Sequence, residues 1–175
     1  MVSTTKTEEL LAAIDGAFPR EPISGANAFR DWGTSYPDAP AYAAQLHGKT
    51  WDQLDRVYVL RRDDALGFLG TKELVAVLPV YLRSVVEDGA NGGAADILTL
   101  IFRRPGTDDE PNLGKRRFGA LVDALTEAQK TVIARVLVHF VESYDGSAPG
   151  ERALATLDGY WRAYLPGVIS EPVDT

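Results

Sequence analysis

TKELVAVLPVYLRSVVED, from Thr71 to Asp88, carries apolar side chains around most of a helical circumference. At helical period one stripe runs Leu74, Val77, Leu78, Tyr81 and Val85, and a second runs Val75, Pro79, Leu82 and Val86. The line Glu73, Ala76, Val80, Arg83 and Glu87 is the charged one. A helix apolar on so many sides is a buried helix, so others must pack around it. Pro79 has no N–H for the Val75 carbonyl, and a kink is expected there.

The surrounding chain has the size and balance to supply those helices. At 175 residues it suits one domain with a real core. Apolar residues make up 45% and charged residues 25%, the proportions of a soluble globular protein. The opening MVSTTKTEELLAAID lacks the pattern of a secretory signal, no apolar run approaches bilayer length, and a cytoplasmic protein is expected. Cysteine is absent, which excludes disulfides, zinc–thiolate sites, iron–sulfur ligation and thiol nucleophiles. A net charge of -7 repels phosphates, arguing against nucleic acid and anionic membranes while permitting a basic partner.

Taken in order, the chain predicts a helix over Lys6–Phe18, opened by a capping box at Thr5-Lys6-Thr7-Glu8 and ended by Pro19. Residues 19–37 contain three prolines and two glycines and predict a loop, with one helical turn at Ala26–Trp32. A short helix follows from Pro40 to Leu46, closed by His47-Gly48. Thr50-Trp51-Asp52-Gln53 is a second capping box, with Trp51 and Leu54 inward. Val57–Leu60 is the one β-branched cluster, but a lone strand has nothing to pair with, so helix or extended linker is expected. Asp63–Leu69 predicts a short helix, with Gly70 its stop and Thr71 the cap of the central helix.

Beyond the centre, Ala95–Phe102 and Phe118–Leu125 predict two more helices, separated by the polar loop Arg103–Arg117. Thr126-Glu127-Ala128-Gln129 is a third capping box, followed by an inner face of Val132, Ile133, Val136, Leu137, Phe140 and Tyr144. Asp145-Gly146 ends that helix, and the last is expected over Glu151–Leu165, with Leu154, Leu157, Trp161, Tyr164 and Leu165 on one side. The sum is a single all-α domain over residues 1–175, an irregular array of about seven to nine helices around the buried helix 71–88. Its core spans about residues 5–166, and the tail 167–175 is expected to be loose.

Several of these landmarks fall in the order of a known pattern. Trp51-x-x-Leu54, Phe68-Leu69, Leu78-Pro79-x-Tyr81-Leu82 and Leu125-Thr126-x-x-Gln129 resemble a bacterial family of helical domains of unknown function. The likeness runs from the first helix to Phe140. The chain departs from the family's Y-L-P-A-Y-L-like string, with Ala76-Val77 where an aromatic pair is common and Val80 in place of Ala. Leu-Pro-x-Tyr-Leu also looks like the Leu-Pro-x-x-Tyr string of a family that includes bacterial toxin-immunity proteins. The resemblance implies a helical fold and transfers no catalytic residue.

Candidate chemistry is sparse. His139 and Glu142 can share a helix face, but a metal needs three or four ligands and no second pair accompanies them. His47 sits at a predicted helix end. No Gly-x-Ser-x-Gly, dinucleotide fingerprint or phosphate loop occurs, so no catalytic residue, metal or cofactor is assigned. The residues singled out for partner binding are Asp108, Asp109 and Glu110 in the long loop, Asp63 and Asp64 ahead of the central helix, and the aromatics Trp32 and Tyr36. Asp63 and Asp64 also suit a helix N-terminus, and the arginines and lysine flanking the loop trio suit local charge pairing. The reading that follows is a non-catalytic acidic binding protein of the bacterial cytoplasm, an immunity protein or antitoxin that neutralises a basic toxin. Its rivals are an enzyme with a dispersed Asp/Glu/Tyr/Arg site and a homo-oligomer subunit paired through the Glu151–Leu165 face.

Overall fold

The computed structural model describes residues 4–24, 38–61, 66, 69–88, 94–105 and 113–167. The order is α1 (Thr4–Ala17), α2 (Ala39–Leu46), a 3₁₀ turn (Trp51–Gln53), α3 (Arg56–Leu60), α4 (Thr71–Asp88), α5 (Ala94–Phe102), α6 (Leu113–Ala124), α7 (Glu127–Ser143), α8 (Ala148–Gly159) and a second 3₁₀ turn (Trp161–Tyr164). No strand occurs among the described residues, and the protein is an all-α domain. No described helix is long and apolar enough to cross a membrane.

Helix α4 lies at the centre, with α1, α3, α5, α6, α7 and the Trp51 turn packed on it. The apolar stripes are consumed except at Val75, which is half-buried: Val77, Leu78, Tyr81 and Leu82 are fully buried, and Pro79 is accommodated inside the helix. The Tyr81 hydroxyl donates to the Val59 carbonyl at 2.9 Å, which ties α4 to α3. Helix α7 is the second axis and packs on α1, α4 and α8. It opens with the expected capping box. Gln129 N donates to Thr126 Oγ1 at 3.3 Å, and Gln129 Oε1 accepts from Thr126 N at 2.9 Å. Val132, Ile133, Val136, Leu137 and Phe140 are buried as the pattern requires, with Tyr144 half-buried at the end.

Several boundaries differ from expectation. Helix α1 begins at Thr4, so Thr5 sits inside the first turn rather than capping it. Thr71 is the first helical residue of α4, and Gly70 ahead of it accepts the bond from Leu74 N at 2.8 Å. The Val57–Leu60 cluster is helical because Asp55 caps it, accepting from Tyr58 N at 3.1 Å, and Val59 turns inward. Helix α6 starts at Leu113 instead of Phe118, so the last five residues of the expected loop 103–117 are helical. Strong helix formers, Leu113 and the run Lys115-Arg116-Arg117, outweigh the single Gly114 there. The helical turn expected at Ala26–Trp32 lies outside the described residues, as do most of Asp63–Leu69, the loop's centre and the tail beyond Gly167.

The last helix is also divided. Ser147 caps α8 by accepting from Gly150 N at 3.2 Å, and the helix ends at Gly159. Tyr160 leaves helical geometry, and Trp161 opens a 3₁₀ turn whose indole Nε1 donates to the Phe102 carbonyl at 2.8 Å. Leu157 and Trp161 are buried against the domain, and of the face expected to pair two copies Leu154 is the exposed member.

Candidate functional site

Where α1 ends, the chain crosses over to the Trp51 turn and the first turns of α4 and α7. Ile23 N donates to the Lys49 carbonyl and Gly48 N to the Ile23 carbonyl, both at 2.9 Å, which fixes residues 19–24 against the turn after α2. The Trp51 indole Nε1 donates to the Phe18 carbonyl at 3.2 Å. A cleft of about 420 Å³ opens between these pieces. Its apolar wall is Phe18, Pro22, Ile23 and Trp51, and its opposite wall is α4 from Thr71 through Glu73 to Ala76, with Gln129 of α7 alongside.

Two polar side chains in this lining are buried. Glu73 is 6% exposed, and among the described residues its carboxylate makes no hydrogen bond or ion pair. Gln129 is 4% exposed. Its Oε1 is engaged by the Thr126 N–H, which leaves the two Nε2 donors for the cleft. The position of Glu73 in the first turn of α4 makes its charge tolerable, because a helix N-terminus favours an anion. Lys72 and Glu21 are exposed at the rim.

Trp51 also lines a groove of about 330 Å³ with a different economy of charge. Arg20 lies over the indole, 5.4 Å from the ring centroid, and its Nε pairs with Asp52 at 2.8 Å. The Thr50 hydroxyl, and after it a backbone N–H and Arg20, hold the Asp52 carboxyl below its usual range. Arg83 bridges Asp15 and Glu87, and Arg56 bridges Glu87 and Asp88 while reaching Ser84 Oγ at 3.2 Å. Every charge named in that groove has an opposite neighbour; Glu73 has none among the described residues.

Other polar clusters serve the fold. Tyr160 and Tyr164 share a hydroxyl–hydroxyl bond at 2.7 Å, and burial followed by that bond pushes the Tyr160 phenol well above its ordinary value. Lys130 sits over the Tyr164 ring at 5.4 Å and pairs with Glu127 at 3.0 Å. His139 is half-buried; burial lowers its pKa, Glu142 opposes that shift and Lys6 adds to it. No group of three or more potential metal ligands occurs among the described residues.

The residues picked from sequence for partner binding, Asp63, Asp64, Asp108, Asp109, Glu110, Trp32 and Tyr36, all lie outside the described residues, so the structure neither gathers nor separates them. Glu73 falls on the charged line of α4 and is not among the residues its sequence pattern singles out. The available signal was its i+4 and i+7 neighbours, Val77 and Val80, both of which are buried.

The resemblance markers are structural: Trp51, Leu78, Pro79, Tyr81, Leu82 and Leu125 are buried, and Thr126 with Gln129 forms the α7 cap. Comparison with curated proteins and with solved structures finds no match. A family model does match over residues 6–165, nearly the whole chain, and the protein therefore belongs to the family of unknown function DUF6714.

Proposed function

We propose that this is a binding protein whose working part is the Trp51–Glu73 cleft, and that the cleft receives a positively charged group from a basic partner. One observation carries the reading: a glutamate nine-tenths buried, without a partner among the described residues, lining an apolar cleft. Burying a charge without a counter-charge is costly, and an incoming cation relieves that cost. The net charge of -7 supports a basic partner by steering its approach. The lining offers one buried carboxylate, one amide and apolar walls, a set suited to recognition; a dispersed acid–base site would want two carboxylates drawn together.

In its wider form the proposal is a bacterial cytoplasmic immunity protein that neutralises a basic toxin, which the Leu-Pro-x-Tyr-Leu likeness and the acidity favour. The direct test titrates the full chain with a short arginine-rich peptide at low and high salt, comparing the parent with Glu73→Gln by NMR. Saturable binding, weakened by salt and by loss of the Glu73 charge, is the expected result. Binding of equal strength to both proteins would sink the proposal.

A further inference from the structure

We infer that the cleft selects a single cation carried on a compact apolar, preferably aromatic, body. The inference rests on the reading above and adds the class of ligand. The cleft, about 420 Å³, lies toward the small end of the range for small-molecule sites and has room for a body of about one ring. Trp51 would ordinarily attract a cation to its face. Here Arg20 already lies over the ring at 5.4 Å, and a second positive charge at the same indole would be repelled by it.

The indole is therefore left to stack against the ligand's apolar body, and the charge goes to Glu73. Hydrogen bonding from Trp51 Nε1 to the Phe18 carbonyl holds the ring in place before anything binds, so little ordering is lost on association. Within the cleft the Gln129 amide offers N–H donors, so a second positive group there meets donors, while the rim carries both signs, Lys72 and Glu21. A monoammonium or monoguanidinium ligand on an apolar body fits; an extended polyamine has no such body to lay on Trp51.

The same chemistry has two sources, a free arylalkylamine and an arginine side chain offered by a peptide, and the test separates them. Phenethylammonium, neutral 2-phenylethanol, spermidine and N-acetylarginine methylamide are each titrated into the full chain by NMR. Phenethylammonium is expected to bind saturably with shifts at Trp51, Ala76 and Gln129, and the alcohol and spermidine at least about tenfold more weakly. Glu73→Gln should weaken phenethylammonium about ten- to a hundredfold. Ala76→Leu, which fills the cleft and spares the carboxylate, should weaken it also, and both variants are checked for parental melting behaviour.

Equal binding of the alcohol, or parental affinity in both variants, overturns the inference. If the arginine probe binds through Glu73 while phenethylammonium does not, the inference falls and the reading of the cleft stands. If neither shows dependence on Glu73, both fall.

Discussion

Leu78 concentrates the residue-scale physics of this protein. It is fully buried on the central helix, with α1, α5, α6 and α7 packed around that element. Leu78→Ala leaves a cavity that close-packed neighbours cannot collapse, and a loss of about 2–5 kcal/mol is expected by chemical denaturation. An unchanged midpoint would show that the centre lies elsewhere. His139 behaves differently, because its contribution depends on pH. Burial depresses its pKa from 6.5, so the unfolded chain takes up a proton first as pH falls through that value. Stability is then present above the unfolded pKa and is lost as pH falls toward the folded one. A melting temperature that drops between about pH 7.5 and about pH 5.5, with a shallower drop in His139→Gln, is the expected pattern. Identical slopes in the two proteins would remove His139 from the explanation.

At the scale of elements, local chemistry explains where helices start better than where they stop. The Thr126 cap is complete in four residues, Thr126-Glu127-Ala128-Gln129, and was legible for that reason. Thr126→Ala is expected to cost about 0.5–2 kcal/mol, measured by denaturant midpoint at constant slope. Gly150, in the first turn of α8, packs closer than any side chain permits: a Cβ there would lie 2.1 Å from the Tyr144 carbonyl oxygen. Gly150→Ala must push α8 away from the end of α7, and a cost of about 1–3 kcal/mol is expected by calorimetry. Full parental stability would mean that the α7–α8 junction yields easily. The division of the last helix at Gly159 was not legible. Just past it the Trp161 indole bonds the Phe102 carbonyl on α5, a partner that no window around residue 160 contains.

Across the whole molecule, the all-helical class and the central position of residues 71–88 follow from periodicity, because an all-round apolar helix admits few placements. The cleft does not follow, since it is assembled from residues near 20, 51, 73 and 129, and a charge in a sequence does not announce its burial. Glu73 tests that assembly directly. A glutamate this enclosed, with no partner among the described residues, is a cost to folding retained for use, so Glu73→Gln is expected to melt at or above the parental temperature. A drop of several degrees would show an internal partner. The buried tryptophans Trp51 and Trp161 have a further consequence, for the order of events during synthesis. Trp51 closes the carbonyl end of α1 across 33 residues, and Trp161 closes that of α5 across 59. On a ribosome adding about 5–20 residues per second, the second closure lags α5 by roughly 3–12 seconds. Through that interval the nascent chain holds α5 with its last acceptor turned to water and the aromatic seat of Trp161, against Phe102 and Phe118, still vacant.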